Sequence, residues 1–264
     1  MKFLKNILGE GWEVTPAGGA TGEAYLAKYG DEKLFLKRNS SPFLAVLSAE
    51  GIVPKLLWTK RLENGDVITA QRWLQGRELK SHEMKGQMIA ELLRKIHRSE
   101  ELVKMLHRLG KKPLTPDNIF EDIHYKYDQA SIQHPEVETA ISYLQDNKNH
   151  LAFAEKVVCH CDVNHNNWLL SDEGHLYLID WDGAMVADPA VDLGMLLYWY
   201  VPRNEWEQWL TSYGTSYTED LHKRMYWYVV CQTLYDIYWY TLKGRNEETA
   251  YWLNFLTELN RTAV

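Results

Sequence analysis

Three oxygen-bearing side chains stand where apolar runs end. Asp162 and Asn167 lie five residues apart in Val158-Cys159-His160-Cys161-Asp162-Val163-Asn164-His165-Asn166-Asn167-Trp168, and Asp180 closes the run Tyr177-Leu178-Ile179. Two adjacent strands can bring these ends together. Asp and Asn offer hard oxygen donors, suited to Mg²⁺ and a bound triphosphate. A carboxylate left free of the metal can accept a proton from a hydroxyl. Phosphoryl transfer needs that set and a cation on the phosphates. Lys37, on a strand behind a glycine-bearing loop, supplies the cation.

Plainer readings of the same residues fare unequally. A lone Asp-x4-Asn is ordinarily a turn, but His160, Asp180 and an upstream Lys37 in this order argue against a turn alone. Cys159, His160, Cys161 and His165 have soft ligand atoms. Zinc sites favour C-x2-4-C spacing, however, and neighbours on a strand point to opposite faces. Buried thiols are the better reading. Gly18-Gly19-x-x-Gly22 taken by itself fits a plain loop as well as a phosphate cradle.

The positioning elements follow from the pattern. Up to residue 80 the chain reads as short strands, at Glu13 to Thr15, Ala24 to Ala27 and Leu34 to Leu36, then two more flanking Asn64-Gly65, a strong hairpin signal. Ser41-Pro42 opens a short helix from Phe43 to Glu50. From Ser81 the period becomes helical, with Met84, Met88, Leu92, Leu93 and Ile96 at three- and four-residue spacing. Gly110 to Asn118, with two prolines, reads as a loop, and Pro135 opens another helix. Lys156 to Cys161 and Leu176 to Ile179 read as strands, and from Val191 the chain reads as helical. The boundary falls near Gly76, giving a lobe over residues 1–76 and a second over 77–264.

Composition narrows the class. Acidic residues (36) exceed basic ones (29), for a net charge of −7, the wrong sign for a nucleic-acid binder. No run is long and apolar enough to span a membrane. Three cysteines, an odd number, and an N-terminus without an apolar signal core predict a reducing, cytoplasmic setting.

His160-x-Asp162-x4-Asn167 followed by Ile179-Asp180-Trp181 resembles the aminoglycoside phosphotransferase and choline kinase family. Trp73-Leu74-Gln75-Gly76 resembles that family's inter-lobe hinge, Leu92 to His97 its Leu-His helix end, and Asp188-Pro189-Ala190-Val191-Asp192-Leu193 the segment after the metal aspartate. More narrowly, Phe35 to Pro42, Val53 to Trp58 and the whole loop around Asp162 resemble the CcrZ (YtmP) group of Gram-positive cell-cycle regulators. The resemblance implies an α+β, bilobal protein-kinase-like fold with a small β-rich N-lobe and a larger, mainly helical C-lobe. It implies ATP and Mg²⁺ as cofactors, a small hydroxyl-bearing acceptor of the ribosyl or 2-deoxyribosyl nucleoside type, and division-ring partners with recruitment to the division site.

Carried over position by position, Asp162 matches the catalytic aspartate, and Asn167 and Asp180 match the metal ligands. Lys37 matches the phosphate-binding lysine, with Glu50 as the partner that orients it. Gly18, Gly19, Thr21 and Gly22 match the loop over the phosphates. Gln71, Arg72, Trp73 and Leu74 would present hinge groups to adenine, and His160 would brace the catalytic loop. Two departures stand out. Cys161 occupies a position usually held by glycine, which raises the prospect of a reactive thiol beside the base. The glycine loop also lacks a strict G-x-G-x-x-G.

Seventeen of the 33 aromatic residues lie from Tyr198 onward. Most read as core, since Trp227, Val230, Leu234, Ile237 and Thr241 share one helical face. Tyr235, Asp236 and Trp239 are the candidates for an acceptor pocket. Eight acidic against six basic residues over this stretch is too balanced for a polycationic aminoglycoside. A choline or ethanolamine kinase with an aromatic cage, or an adaptor that regulates division without catalysis, are the alternatives. Retention of Lys37, Asp162, Asn167 and Asp180 together argues against the adaptor.

Overall fold

A computed structural model describes Leu4 and residues 7–17, 23–151 and 155–262. The fold is protein-kinase-like, with an antiparallel sheet in the N-terminal part and a larger, mainly helical C-terminal part. The chain forms two compact units.

The first unit contains residues 1–79 and 166–182. Five antiparallel strands, β1 (Glu13–Pro16), β2 (Ala24–Tyr29), β3 (Glu32–Arg38), β4 (Leu56–Arg61) and β5 (Val67–Arg72), pair in the order β1-β2-β3-β5-β4. Side chains alternate across a strand. Leu34 and Leu36 therefore join Ala27, Ile68, Ala70 and Leu4 in a core on one face, and Lys37 projects from the other. The Asn64-Gly65 turn joins β4 to β5 as its sequence predicts, with Gly65 at φ 90°. Helix α1 (Phe43–Ala49) buries Phe43 and Leu47, one turn apart. The Ser41 hydroxyl accepts the Phe43 N–H at 3.2 Å.

A second, three-stranded sheet carries residues 166–182 into this unit. It runs β6 (Gly76–Glu78), β8 (Trp168–Ser171), β9 (Leu176–Leu178) in that spatial order. Sequence pattern puts everything after Gly76 in one lobe; the β6–β8 ladder, extended by Leu79 N–H to the Trp168 carbonyl at 2.9 Å, instead draws this hairpin to the first 79 residues. Gly76 is obligatory for that pairing. A Cβ there would lie 2.3 Å from the Leu170 carbonyl oxygen, closer than any real contact.

The second unit contains residues 80–165 and 183–264. Its helices are α2 (Gln87–His97), α3 (Glu100–Arg108), α4 (Pro116–Ala130), α5 (Pro135–Asn147), α6 (Ala190–Tyr200), α7 (Trp206–Tyr213), α8 (Glu219–Leu242) and α9 (Asn246–Arg261), joined by a two-stranded ladder of β7 (Val157–Cys159) and β10 (Met185–Ala187). Helix α4 corrects the expectation of a loop to Asn118. Thr115 caps it by accepting the Asn118 N–H, and Pro116 sits at its first position, where a missing N–H costs nothing. Helix α8 is the centre of this unit. It packs against α4, α5, α6 and α9 and is buried on nearly every face, which explains its aromatic density. Trp227 is fully buried and its indole N–H donates to the Leu144 carbonyl at 3.2 Å. The Tyr226 hydroxyl donates to the Leu259 carbonyl at 2.9 Å. Gly194 lets α6 approach α8, since a Cβ there would meet the Met225 carbonyl oxygen at 2.8 Å.

Candidate active site

Within the first unit, the end of β9 meets the outer face of β3. Ile179 N–H donates to the Asn167 carbonyl at 2.8 Å, which sets the start of β8 beside the end of β9. Asp180 follows in the left-handed region at φ 64°, a conformation Asp tolerates better than most residues. The chain then tightens into one 3₁₀ turn, Trp181–Gly183. Trp181 anchors that turn: its indole N–H donates to the Leu178 carbonyl at 2.7 Å, and its ring packs edge-on against Phe43.

The turn aims two carboxylates at Lys37. Its ammonium lies 3.0 Å from Asp182 Oδ2 and 3.7 Å from Asp180 Oδ1. The side chains are 27% exposed for Lys37, 58% for Asp180 and 65% for Asp182. An ion pair that open contributes about 0–1 kcal/mol to folding. Its consequence is instead that a cation and two hard oxygen donors share one exposed edge beside Asn167.

Among the described residues Lys37 pairs with Asp180 and Asp182, and Glu50 forms the C-cap of α1, its N–H donating to the Val46 and Ser48 carbonyls. The chain leaves α1 there through Gly51 at φ 67°. Gly18, Gly19, Thr21 and Gly22 lie outside the described residues. In the hinge segment, Gln71 and Arg72 are the last residues of β5. The Gln71 amide donates to the Pro54 carbonyl at 2.7 Å and the Trp73 N–H to the Lys33 carbonyl at 3.3 Å, so the stretch is pinned up to Leu74.

The second unit holds the other half of the loop. Asp192, fully buried in the first turn of α6, is its brace. Its Oδ2 accepts the His160 N–H at 2.7 Å and its Oδ1 the Cys161 N–H at 2.9 Å. His97 Nε2 lies 3.1 Å from Asp192 Oδ2, and His97 Nδ1 lies 2.7 Å from the Tyr213 hydroxyl. These contacts hold Cys161 at φ 64°, a strained backbone for a residue with a Cβ. That is why glycine suits the position, and why the turn survives without it.

The Cys161 thiol is not activated. Burial, with the charges of Asp192 and Asp162 nearby, pushes its pKa well up. Burial does the same to Cys159, whose Sγ donates to the Asp188 carbonyl at 3.3 Å. Ligand atoms of His97, Cys159 and Asp192 lie within 4.8 Å of one another. They are engaged in the hydrogen bonds just described, a bracing network beneath the loop.

Asp162 follows Cys161 directly, and its charge acts on two groups of this unit. Asp236 on α8 feels its charge; burial, and then Asp162, push the Asp236 carboxyl up to about 7 against the hydrogen bond from Gln232. The Tyr200 hydroxyl, raised by burial and by Asp162, accepts the His165 N–H at 3.2 Å and lies 3.2 Å from His165 Nδ1. Asp236 thus lies within the electrostatic reach of Asp162. The Tyr235 hydroxyl donates to Asp122 Oδ2 at 2.8 Å on the α4 side, with Lys126 5.7 Å from its ring centroid. Trp239 is 55% exposed, with Lys243 4.8 Å from its ring centroid. Tyr235 and Asp236 are about 100° apart around α8.

Sequence reasoning left Asp182, Tyr200, His97 and Asp192 without a part in the site. Asp182 had a signal, standing two residues beyond Asp180 across one turn. Asp192 and His97 lay in recognised segments, but their meeting is a contact between residues 95 apart with no local signature.

The sequence model of the phosphotransferase enzyme family matches residues 13–228. Among solved structures, choline kinase LicA from Streptococcus pneumoniae superposes with a TM-score of 0.71 at 21% identity, covering 99% of each chain. A thermostable mutant of aminoglycoside phosphotransferase APH(4)-Ia gives 0.72 at 17% identity, over 99% of this chain and 98% of that one. A choline/ethanolamine kinase family protein from Mesorhizobium loti gives 0.68 at 17%, over 98% and 90%. With the match spanning residues 13–228, well over half of the chain, the chain belongs to the phosphotransferase enzyme family.

Proposed function

We propose that this chain is an ATP-dependent kinase that phosphorylates a hydroxyl of a small molecule, with a ribosyl or 2-deoxyribosyl nucleoside as acceptor. The observation that carries the reading is the convergence of Lys37, Asp180 and Asp182 beside Asn167. The similar structures include LicA in complex with AMP and APH(4)-Ia in complex with AMP-PNP and hygromycin B.

The residues assume distinct tasks. Lys37 neutralises phosphate oxygens. Asn167 and Asp180 are the donors for Mg²⁺, with Asp182 beside them; oxygen donors of this hardness and exposure fit that ion. Mg²⁺, when bound, supplies charge neutralisation on the phosphates. Asp162 takes, or orients, the proton of the attacking hydroxyl. Asp192 and His97 fix the backbone that presents Asp162. The Trp73–Leu74 segment meets adenine.

The acceptor side suits a neutral, hydroxyl-rich molecule. Asp236, with its carboxyl near neutrality, can donate to and accept from sugar hydroxyls. Sequence similarity to the CcrZ group supports a further step, that this kinase acts in coordinating cell division with DNA replication through division-ring proteins. Mg²⁺-dependent ATP consumption measured against nucleosides, choline, ethanolamine and aminoglycosides tests the reading. Turnover with a nucleoside supports it; turnover with choline alone would transfer the assignment to the choline kinase type.

A further inference from the structure

We propose that the second unit carries a separate binding site for a small organic anion borne on a planar ring, in the cavity lined by α6, the turn after it, the first residue of α7, the start of α8 and Thr262 just past α9. The cavity has a volume of about 380 Å³, at the lower end of the small-molecule range. Its floor is apolar, from Leu197, Val201 and the Trp206 ring, and Tyr198 and His222 form a wall.

Arg203 is the one cationic side chain on this lining at neutral pH. Its guanidinium carbon sits 3.9 Å from the Trp206 ring centroid and 5.2 Å from that of Tyr217. One N–H donates to the Tyr217 hydroxyl at 2.7 Å. No carboxylate among the described residues lies within ion-pair distance of it. An arginine has five N–H donors in a planar fork, so most of that fork is unspent and matches a carboxylate or phosphate edge. His222 adds no charge: burial and then Arg203 push its pKa down to about 4, against the opposing effect of Glu219.

The walls are fixed in advance. The Trp206 indole N–H donates to the Val201 carbonyl at 2.9 Å, and Tyr198 Oη lies 2.9 Å from His222 Nε2. Tyr198 and His222 stack within 10° of parallel, at 6.3 Å. A prearranged aromatic wall beside a stacked guanidinium lowers the ordering cost of binding and selects a flat body with an acidic edge. The site is distinct from the loop around Asp162. Tyr198 faces the cavity, whereas Tyr200, about 200° further round α6, holds His165.

Ligand titrations followed by NMR of the His222 ring in the full chain test the proposal, with benzoate, phenyl phosphate, inorganic phosphate and benzamide as probes. Benzoate or phenyl phosphate should shift the His222 resonances saturably and raise its pKa, because a bound anion offsets Arg203. Whichever of the two binds tighter identifies the head group. Arg203→Gln should weaken that binding about tenfold or more, and Arg203→Lys should recover part of it. Arg203→Gln also gives up the stacking on Trp206 and the bond to Tyr217, so a thermal melt verifies the fold of each variant. An equal response to benzamide, an equal response to inorganic phosphate, or unchanged affinity in Arg203→Gln would overturn the site.

Discussion

Asp192, on α6, accepts the backbone N–H of Cys161, 31 residues earlier, at 2.9 Å, while its other oxygen takes the N–H of His160. One buried carboxylate thus sets the backbone from which Asp162 projects. Asp192→Asn keeps the volume but turns an NH₂ toward N–H donors. It should cost about 1–3 kcal/mol of stability, the penalty of a buried donor left unpaired, and reduce turnover with ATP affinity retained. Denaturant melts and a separate ATP titration check both. An unaltered melt would mean that the loop holds its own shape.

Cys161 stores strain at φ 64°. A left-handed residue with a Cβ costs about 1–2 kcal/mol, and glycine gives back about 0.5–1 kcal/mol in chain entropy. Cys161→Gly should therefore be neutral to about 1 kcal/mol more stable, and remain active. Cys161→Val, β-branched, should be clearly destabilised. Iodoacetamide labelling of the native protein at pH 8 should be slow at all three cysteines, because burial raises each thiol. Fast labelling at Cys161 would contradict the geometry.

Lys37 is partnered by Asp182 and Asp180. Lys37→Met should lower kcat/KM for ATP by about 10²–10³-fold, the usual cost of one electrostatic contact to a developing charge, and leave the melt nearly unchanged. Glu50→Gln should change turnover little. A loss in Glu50→Gln as deep as that in Lys37→Met would restore the orienting role to Glu50.

Asp236 gives a pH signature. Its folded pKa, about 7, lies above the ordinary carboxylate value of 3.8. Between those values the folded chain keeps a proton that the unfolded chain releases. Its contribution to stability is then fully present below about pH 4 and is lost as pH rises through 7. Asp236→Asn should flatten that part of the stability–pH curve. It should also raise the acceptor KM and leave the ATP KM alone, the form of lost uniform binding. A curve of unchanged slope would show that the carboxyl titrates normally.

Much of this site was legible because phosphoryl-transfer chemistry resides in local runs. The strand carrying Lys37, the Asn64-Gly65 turn and the segments at Asp162, Asn167 and Asp180 each combine a period-two pattern with a turn. Tertiary partners were less so. Glu50 sat plausibly after a short helix, but which carboxylate reaches Lys37 is decided by the turn after Asp180. Tyr235 and Trp239 looked equivalent to Asp236 in an aromatic helix. Their partners differ only through the packing of α8 among its neighbours. Helix α4 was missed because two prolines near Lys112 and Thr115 outweighed the spacing of Ile119, Phe120, Ile123 and Tyr127.

The central claim is that Asp162 serves as the proton acceptor of a kinase, and one substitution bears on it most directly. Asp162→Asn preserves shape and removes the basic oxygen. In a Mg²⁺-ATP assay on an accepted hydroxyl substrate, kcat should drop about 10²–10⁴-fold, with ATP binding and thermal stability unchanged. Near-normal turnover in Asp162→Asn would contradict the account.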